Sequence, residues 1–130
     1  MAARLAMVIC AALLLSGCGA VTQNGSSGSN NTCVITADVS PATATADHSQ
    51  LPPANQVTFT AASTVTGNCR LTPDFLGTWS SSDPADISLP SQPATQATAT
   101  CLHATSGPAT ISYNGNVRGH SFNPGTLSCK

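Results

Sequence analysis

Glutamate is absent from this chain, and charged residues of every kind are rare, at 7% of 130 residues. The four lysines and arginines lie far apart in the sequence, and the formal net charge is −1. Binding to a phosphate backbone requires several basic side chains on one face of a protein. We therefore expect no nucleic-acid partner.

Long apolar runs are missing as well. The longest, LAMVICAALLL from Leu5 to Leu15, has 11 residues, whereas roughly 20 are needed to cross the hydrocarbon core of a bilayer. Arg4 precedes the run, and the small residues Ser16 and Gly17 follow it. This is the plan of a secretory signal peptide, which we predict for residues 1–17.

The end of this segment resembles the lipobox of bacterial lipoproteins, which reads Leu, a small residue, Gly or Ala, and then Cys. Leu15, Ser16, Gly17 and Cys18 match it position by position. The resemblance implies cleavage before Cys18 and acylation of its thiol, and two or three acyl chains hold a protein on a membrane. Gly19 resembles the sorting pattern for the outer membrane. The alternative is an ordinary signal peptide with a chance cysteine.

The residues after Cys18, GAVTQNGSSGSNNT, are mostly Gly, Ser and Asn and offer little to bury. We predict that residues 18–32 form a lipidated cysteine with a flexible tether, whose root-mean-square reach is about 20 Å. The remaining residues, 33–130, are enough for one compact domain and not for two.

Four of the six cysteines remain once Cys10 is removed with the signal and Cys18 carries lipid; they are Cys33, Cys69, Cys101 and Cys129. An exported chain meets an oxidising compartment, so two disulfides are expected. A zinc site is the competing interpretation, but it requires closely spaced ligands, and Cys101 with His103 is the only near pair. We expect no metal and no cofactor.

Short segments of alternating apolar and polar residues fill the rest of the chain, separated by Pro, Gly and Asn turns. Such alternation predicts strands with one buried face. The apolar positions are Ile35, Ala37 and Val39; Val57, Phe59 and Ala61; Phe75, Gly77 and Trp79; Ile87 and Leu89; Ala97, Ala99 and Cys101; Ala109, Ile111 and Tyr113; Leu127 and Cys129. About seven short strands favour an all-β, two-sheet sandwich.

Three stretches resemble the bacterial immunoglobulin-like domains of the group 2 type. They are VSPATATADHSQLPPANQVTFTA, WSSSDPADISL and GPATISYNG, in that order, and the likeness covers about residues 34–114. The resemblance implies an immunoglobulin-like sandwich and an extracellular location. It implies no reaction, since folds of this type serve adhesion, spacing and ligand binding alike.

Trp79 is the only tryptophan and lies in phase with Phe75 on one strand face. We predict that Trp79, together with Phe59 and Ile111, forms the core. A sugar-stacking platform is the alternative role for the Trp79 ring.

The strand order of an immunoglobulin-like sandwich also implies a cysteine pairing. In that order the start of the first strand and the end of the second share one pole, which favours Cys33 with Cys69. The ends of the fifth and seventh strands share the opposite pole, which favours Cys101 with Cys129. The alternative is Cys69 with Cys101, the bond between sheets that antibody domains would suggest.

Three stretches of the sequence contain residue types that occur in catalytic sites, and we reject each of them as a catalytic site. Asp47, His48 and Ser49 are neighbours in the chain, whereas a catalytic triad is assembled from distant positions. GHSFN, at residues 119–123, approaches a nucleophile elbow, but no strand-to-helix turn is predicted. Asp83 and Asp86 flank a turn and have no acidic companions, so they suit a solvated loop or a weak cation site.

Two classes of function remain after these exclusions. The first is a non-catalytic, lipid-anchored module of the bacterial cell envelope, exposed to the periplasm or the cell surface, that binds protein or glycan or acts as a spacer. The second is a periplasmic ligand-binding or inhibitor lipoprotein, in which Arg118, His120 and Phe122 of the 114–124 region line a pocket. A free sheet edge would favour the first class, and we prefer it.

Overall fold

A computed structural model describes residues 33–67 and 76–130, and strands are the regular structure of these residues. The first five strands are β1 (Val34–Ser40), β2 (Thr43–Ala46), β3 (Gln56–Thr66), β4 (Thr78–Ser81) and β5 (Ile87–Ser88). The other five are β6 (Gln96–Cys101), β7 (Ala109–Asn114), β8 (Asn116–Val117), β9 (His120–Ser121) and β10 (Gly125–Cys129). The predicted signal peptide, the tether and Phe75 lie outside the described residues.

The strands form two packed four-stranded sheets, one in the order β1-β3-β6-β5 and the other in the order β2-β10-β7-β4. Neighbours are antiparallel except β2, which runs parallel to β10. Immunoglobulin constant-type sandwiches have one sheet of strands A, B, E and D and another of strands C, F and G, lettered in chain order. The first sheet here has the order of A, B, E and D, and β4, β7 and β10 of the second correspond to C, F and G. Strand β2 is an addition beside β10. The all-β sandwich predicted from the sequence is therefore confirmed.

More strands are present than the predicted seven, for two local reasons. The chain leaves the first sheet after Ser40 and joins the second as β2, so one predicted strand is followed by a separate short one. The 114–124 region, in which no strand is predicted, contains the small β8-β9 hairpin. Its turn residues Arg118 and Gly119 both have positive φ, at 50° and 80°, as two-residue hairpin turns of type I′ require.

The core lies between the two sheets and follows the predicted alternation. Phe59, Ile111 and Leu127 have no solvent-exposed surface, and Trp79 is 6% exposed. The predicted core residues Phe59, Trp79 and Ile111 are therefore confirmed. The buried positions of the described residues hold no polar or charged side chain.

The close approach of the two sheets at the crossover depends on Gly125, the first residue of β10. A Cβ atom at this position would lie 2.7 Å from the Pro41 carbonyl oxygen and 3.1 Å from a ring carbon of Phe59. Such distances require a shift of backbone as well as of core side chain. A glycine here lets β10 pass beside the segment that links β1 to β2.

We predict that Phe59→Ala lowers the free energy of unfolding by about 3–5 kcal/mol, because a fully buried ring is replaced by a cavity. Thr66→Ala, at an exposed position of the same strand, should change it by less than about 0.5 kcal/mol. Urea denaturation followed by tryptophan fluorescence measures both. Equal effects of the two substitutions would contradict the assigned core.

Candidate functional site

The predicted lipid attachment residue, Cys18, lies outside the described residues, as does Cys69. Within residues 33–67 and 76–130, no helix has the length and apolar character needed to span a bilayer. Cys18 acylation therefore stays a prediction from the sequence.

A disulfide joins Cys101, the last residue of β6, to Cys129, the last residue of β10. Their Cα atoms are 5.7 Å apart, and both side chains are buried within the core. Because β6 and β10 belong to different sheets, this bond links the two layers covalently. It is the predicted pairing, and it excludes the alternative of Cys69 with Cys101.

Cys33 also takes part in a disulfide, directly before β1. The register places the neighbouring Val34 opposite Thr66, at the end of β3. The start of the first strand and the end of the second predicted strand thus share one pole, as expected. The pairing of Cys33 with Cys69 stays a prediction because Cys69 is not among the described residues.

Asp47, His48 and Ser49 form a short turn with no triad geometry. The Ser49 hydroxyl and backbone N–H donate to Asp47 Oδ1 at 2.7 and 3.0 Å. The His48 Nδ1 atom lies 2.8 Å from the Lys130 carbonyl oxygen. The carboxylate is therefore engaged by the serine, and the imidazole is held at the end of β10.

The Ser49 side-chain hydrogen bond, followed by that from the Ser49 backbone, lowers the pKa of Asp47 below its ordinary value. Both bonds favour the charged carboxylate. The arrangement stabilises the turn.

Asp83 and Asp86 occupy the turn between β4 and β5. The Asp83 carbonyl accepts the Ile87 N–H at 3.0 Å, and the Asp86 carbonyl accepts the Leu102 N–H at 2.8 Å. The Asp86 carboxylate lies 3.3 Å from Nδ1 of His103. Among the described residues no three His, Cys, Asp or Glu side chains are grouped closely enough to hold a metal ion.

The three candidate ligand contacts, Arg118, His120 and Phe122, do not share one environment. Arg118 lies at the exposed tip of the β8-β9 hairpin, and His120 is exposed in β9. Phe122 is half-buried and packs edge-on against Tyr113, with ring centroids 4.8 Å apart. Phe122 therefore packs against the edge of the hydrophobic core and does not line a pocket with Arg118 and His120.

Phe122 completes an aromatic row that the sequence analysis did not identify. Tyr113 also packs against Trp79, with ring centroids 5.1 Å apart, and its hydroxyl accepts the Gly77 N–H at 2.8 Å. The Trp79 indole N–H donates to the Ala94 carbonyl at 2.8 Å. With its ring buried and its N–H bonded, Trp79 serves the core, which excludes the sugar-stacking role.

Strand β4 forms one edge of its sheet and pairs only with β7 among the described strands. Directly after β4, the Ser82 N–H donates to the Thr110 carbonyl at 2.9 Å. Residues of an antiparallel pair alternate between bonded and non-bonded positions. Thr78 and Ser80 therefore bond to β7, and the N–H and C=O groups of Trp79 and Ser81 point away from it.

A cleft of about 400 Å³ borders this edge, between β4 and β5. Ile87, Leu89 and Leu102 contribute apolar wall, and no described residue that lines the cleft is charged. Leu102 is 46% exposed. An unpaired strand edge beside an exposed apolar surface is a common form of protein-binding site.

A second cleft, of about 470 Å³, lies over the outer face of the other sheet. That face carries hydroxyl and amide side chains paired across strands. Thr58 and Thr98 Oγ1 atoms lie 2.9 Å apart, and Gln96 donates to Thr60 at 3.2 Å. Because these groups largely satisfy one another, the face offers a weaker case for binding than the β4 edge.

Comparisons with known proteins gave no match, whether with protein-family models, with curated proteins or with solved structures.

We predict that the double substitution Cys101→Ala and Cys129→Ala lowers the free energy of unfolding by about 3.5 kcal/mol in the chain-entropy account of crosslinks. The bond closes a segment with a sequence separation of 28. Urea denaturation without reductant measures the loss. An unchanged transition midpoint would show that the link between the sheets contributes nothing to stability.

We predict that Ser49→Ala raises the pKa of Asp47 toward its ordinary value of 3.8, because the largest stabilising contact of the carboxylate is removed. A depressed pKa stabilises the native turn above pH 3.8, and the contribution disappears as the pH falls through the native pKa. Carboxyl ¹³C titration by NMR measures the change, with the exposed Ser91→Ala variant as control. Identical Asp47 titrations in the two variants would contradict the assignment.

Proposed function

We propose that this chain is a non-catalytic, lipid-anchored module of the bacterial cell envelope, related to the group 2 immunoglobulin-like domains, that binds other macromolecules. The observation that carries the binding role is the edge of β4 from Trp79 to Ser81, beyond the contact between Gly77 and Ala94 at its start. The outward N–H and C=O groups of Trp79 and Ser81 stand beside an uncharged cleft there. A strand edge of this kind recognises extended chain through its backbone.

The covalent structure of the domain supports its export. Cys101 and Cys129 form a buried disulfide, and Cys33 is also disulfide-bonded. Structural disulfides of this kind persist in oxidising compartments and are rare in a reducing cytosol. This agrees with the signal-like residues 1–17 and with the match of Leu15 to Cys18 to a lipobox.

The scattered titratable side chains support a binding role over a catalytic one. Asp47 accepts hydrogen bonds from Ser49, and Asp86 faces His103 outside both clefts. The competing ligand-binding role of the 114–124 region loses its main support, because Phe122 packs against Tyr113.

We predict that Cys18→Ala abolishes incorporation of a palmitate analogue and moves the protein from the detergent phase to the aqueous phase, since the acylated thiol is lost. Cys10→Ala is the matched control, because it removes a cysteine of the predicted signal peptide and should leave both properties unchanged. Metabolic labelling and detergent phase partition of the expressed full chain provide the measurement. A wild-type protein that carries no acyl group, or one whose label survives Cys18→Ala, would contradict the proposed anchor.

A further inference from the structure

We propose that two copies of this chain associate by antiparallel pairing of their β4 edges, around a two-fold axis at Ser80. This deepens the proposed function and rests on it for its setting, in which tethered copies meet on one membrane surface. The pairing would join the two β2-β10-β7-β4 sheets into one sheet of eight strands.

The hydrogen-bonding pattern of β4 suits a second copy of itself. The outward-facing residues Trp79 and Ser81 flank Ser80 symmetrically. With Ser80 opposite Ser80, Trp79 of each copy lies opposite Ser81 of the other. The two pairs of Trp79 with Ser81 are then hydrogen-bonded pairs, and the central pair of Ser80 with Ser80 is a non-hydrogen-bonded pair. Every outward backbone group of the two residues finds a partner in this register.

The side chains and charges of β4 also permit the contact. Thr78 and Ser80 are the exposed residues of the strand, and both are small and uncharged. The nearest charge, Asp83, would fall beside Gly77 of the other copy, where the Gly77 carbonyl already accepts the Ala94 N–H at 3.2 Å, so the pairing ends before this position and the two carboxylates do not meet. Edge strands usually avoid self-pairing through charge, proline or cover, and β4 has neither a charge nor a proline within its four residues.

Two of the other sheet edges are protected. Beside β1, Asn123 accepts the Val39 N–H at 2.9 Å and donates its own N–H to the Ala37 carbonyl at 2.8 Å. Strand β5 has only two residues, and its outward N–H, that of Ile87, donates to the Asp83 carbonyl. These contacts occupy backbone groups that a second copy would need.

The β2 edge resembles β4 and provides the matched control. The Thr126 N–H donates to the Ala42 carbonyl, and the Lys130 N–H donates to the Ala46 carbonyl. Alternate residues of β2 therefore bond to β10, and the Thr45 N–H points outward. Neither of the two clefts described above borders Thr45.

Pairing along four residues buries less than the roughly 1,200 Å² typical of stable complexes. We therefore expect a weak contact in dilute solution. Confinement of both copies to a membrane raises their effective concentration and favours the paired state.

Site-directed crosslinking of the full chain in intact membranes tests the register. In Ser80→Cys the two introduced residues lie at a non-bonded pair with Cα atoms about 4.5 Å apart, within the range of a disulfide. Thr78 lies on the same face of the strand. In Thr78→Cys the introduced cysteine of each copy lies opposite Ser82 of the other copy, four residues from the other cysteine, so the two cysteines are about 13 Å apart along the strands. Mild oxidation should give about tenfold more disulfide-linked dimer for Ser80→Cys than for Thr78→Cys.

Proline substitutions in the Ser80→Cys background test the edge. Ser81→Pro removes an outward N–H and no backbone bond to β7, and it also removes the hydroxyl that accepts the Asp83 N–H at 3.0 Å. Ser81→Pro should therefore abolish the crosslink, whereas Ser81→Ala, which loses only the hydroxyl, should preserve it. Thr45→Pro removes an outward N–H at the β2 edge and should leave the crosslink unchanged.

Three outcomes would overturn the proposal: no dimer for Ser80→Cys, equal dimer for Thr78→Cys, or loss of the crosslink with Thr45→Pro but not with Ser81→Pro. The same oxidation, repeated on purified protein at high concentration, separates this proposal from the membrane anchor. A Ser80→Cys dimer there supports β4 pairing even if Cys18 carries no lipid.

Discussion

The disulfide between Cys101 and Cys129 is the constraint on which the rest of this structure depends. It links the last residue of β6 to the last residue of β10, and so ties one sheet to the other. The core between the sheets is thin, because many buried positions are alanines: Ala37, Ala46, Ala61, Ala97, Ala99 and Ala109. Each alanine removes far less apolar surface from water than a leucine or phenylalanine does. A crosslink that restricts the unfolded chain compensates for this modest burial.

The same architecture determines where the molecule can bind. The two sheets bury their facing sides, and the outer face of the first sheet is covered by hydroxyl and amide groups that pair with one another. The short hairpin at residues 116–121 leads directly into Phe122, which packs in the aromatic row with Tyr113 and Trp79. Backbone groups without a partner therefore concentrate at the strand edges, and β4 is the edge that also borders apolar surface.

Much of the fold could be predicted from the sequence, because strand alternation is a local property. The alternation of apolar and polar residues in each strand is enough to predict that Phe59, Ala97 and Ile111 face the core, and each is buried as predicted. The Cys101–Cys129 bond could also be predicted, since the strand order of the resembled domains brings the ends of those strands together. The strand phases depend on local period alone, whereas the disulfide is predicted from the long-range strand order that the resemblance implies.

The binding surfaces could not be predicted in the same way, because they depend on what lies beside a residue in space. Phe122 appears in a polar segment, and its contact with Tyr113 is visible only in the folded chain. The exposure of the β4 edge follows from the position of β5 in the opposite sheet. One missed element did carry a signal: Gly119 after Arg118 marks the two-residue turn of the β8-β9 hairpin.

Native-state hydrogen exchange, with and without reductant, tests the central claim most directly. If the crosslink holds the two sheets together, amides of β6 and β10 exchange slowly in the oxidised protein and lose that protection once the Cys101–Cys129 bond is reduced. Mass spectrometry of the same samples verifies the reduction. Protection of β6 and β10 that survives full reduction would show that the small core alone maintains the sandwich, which would contradict this account.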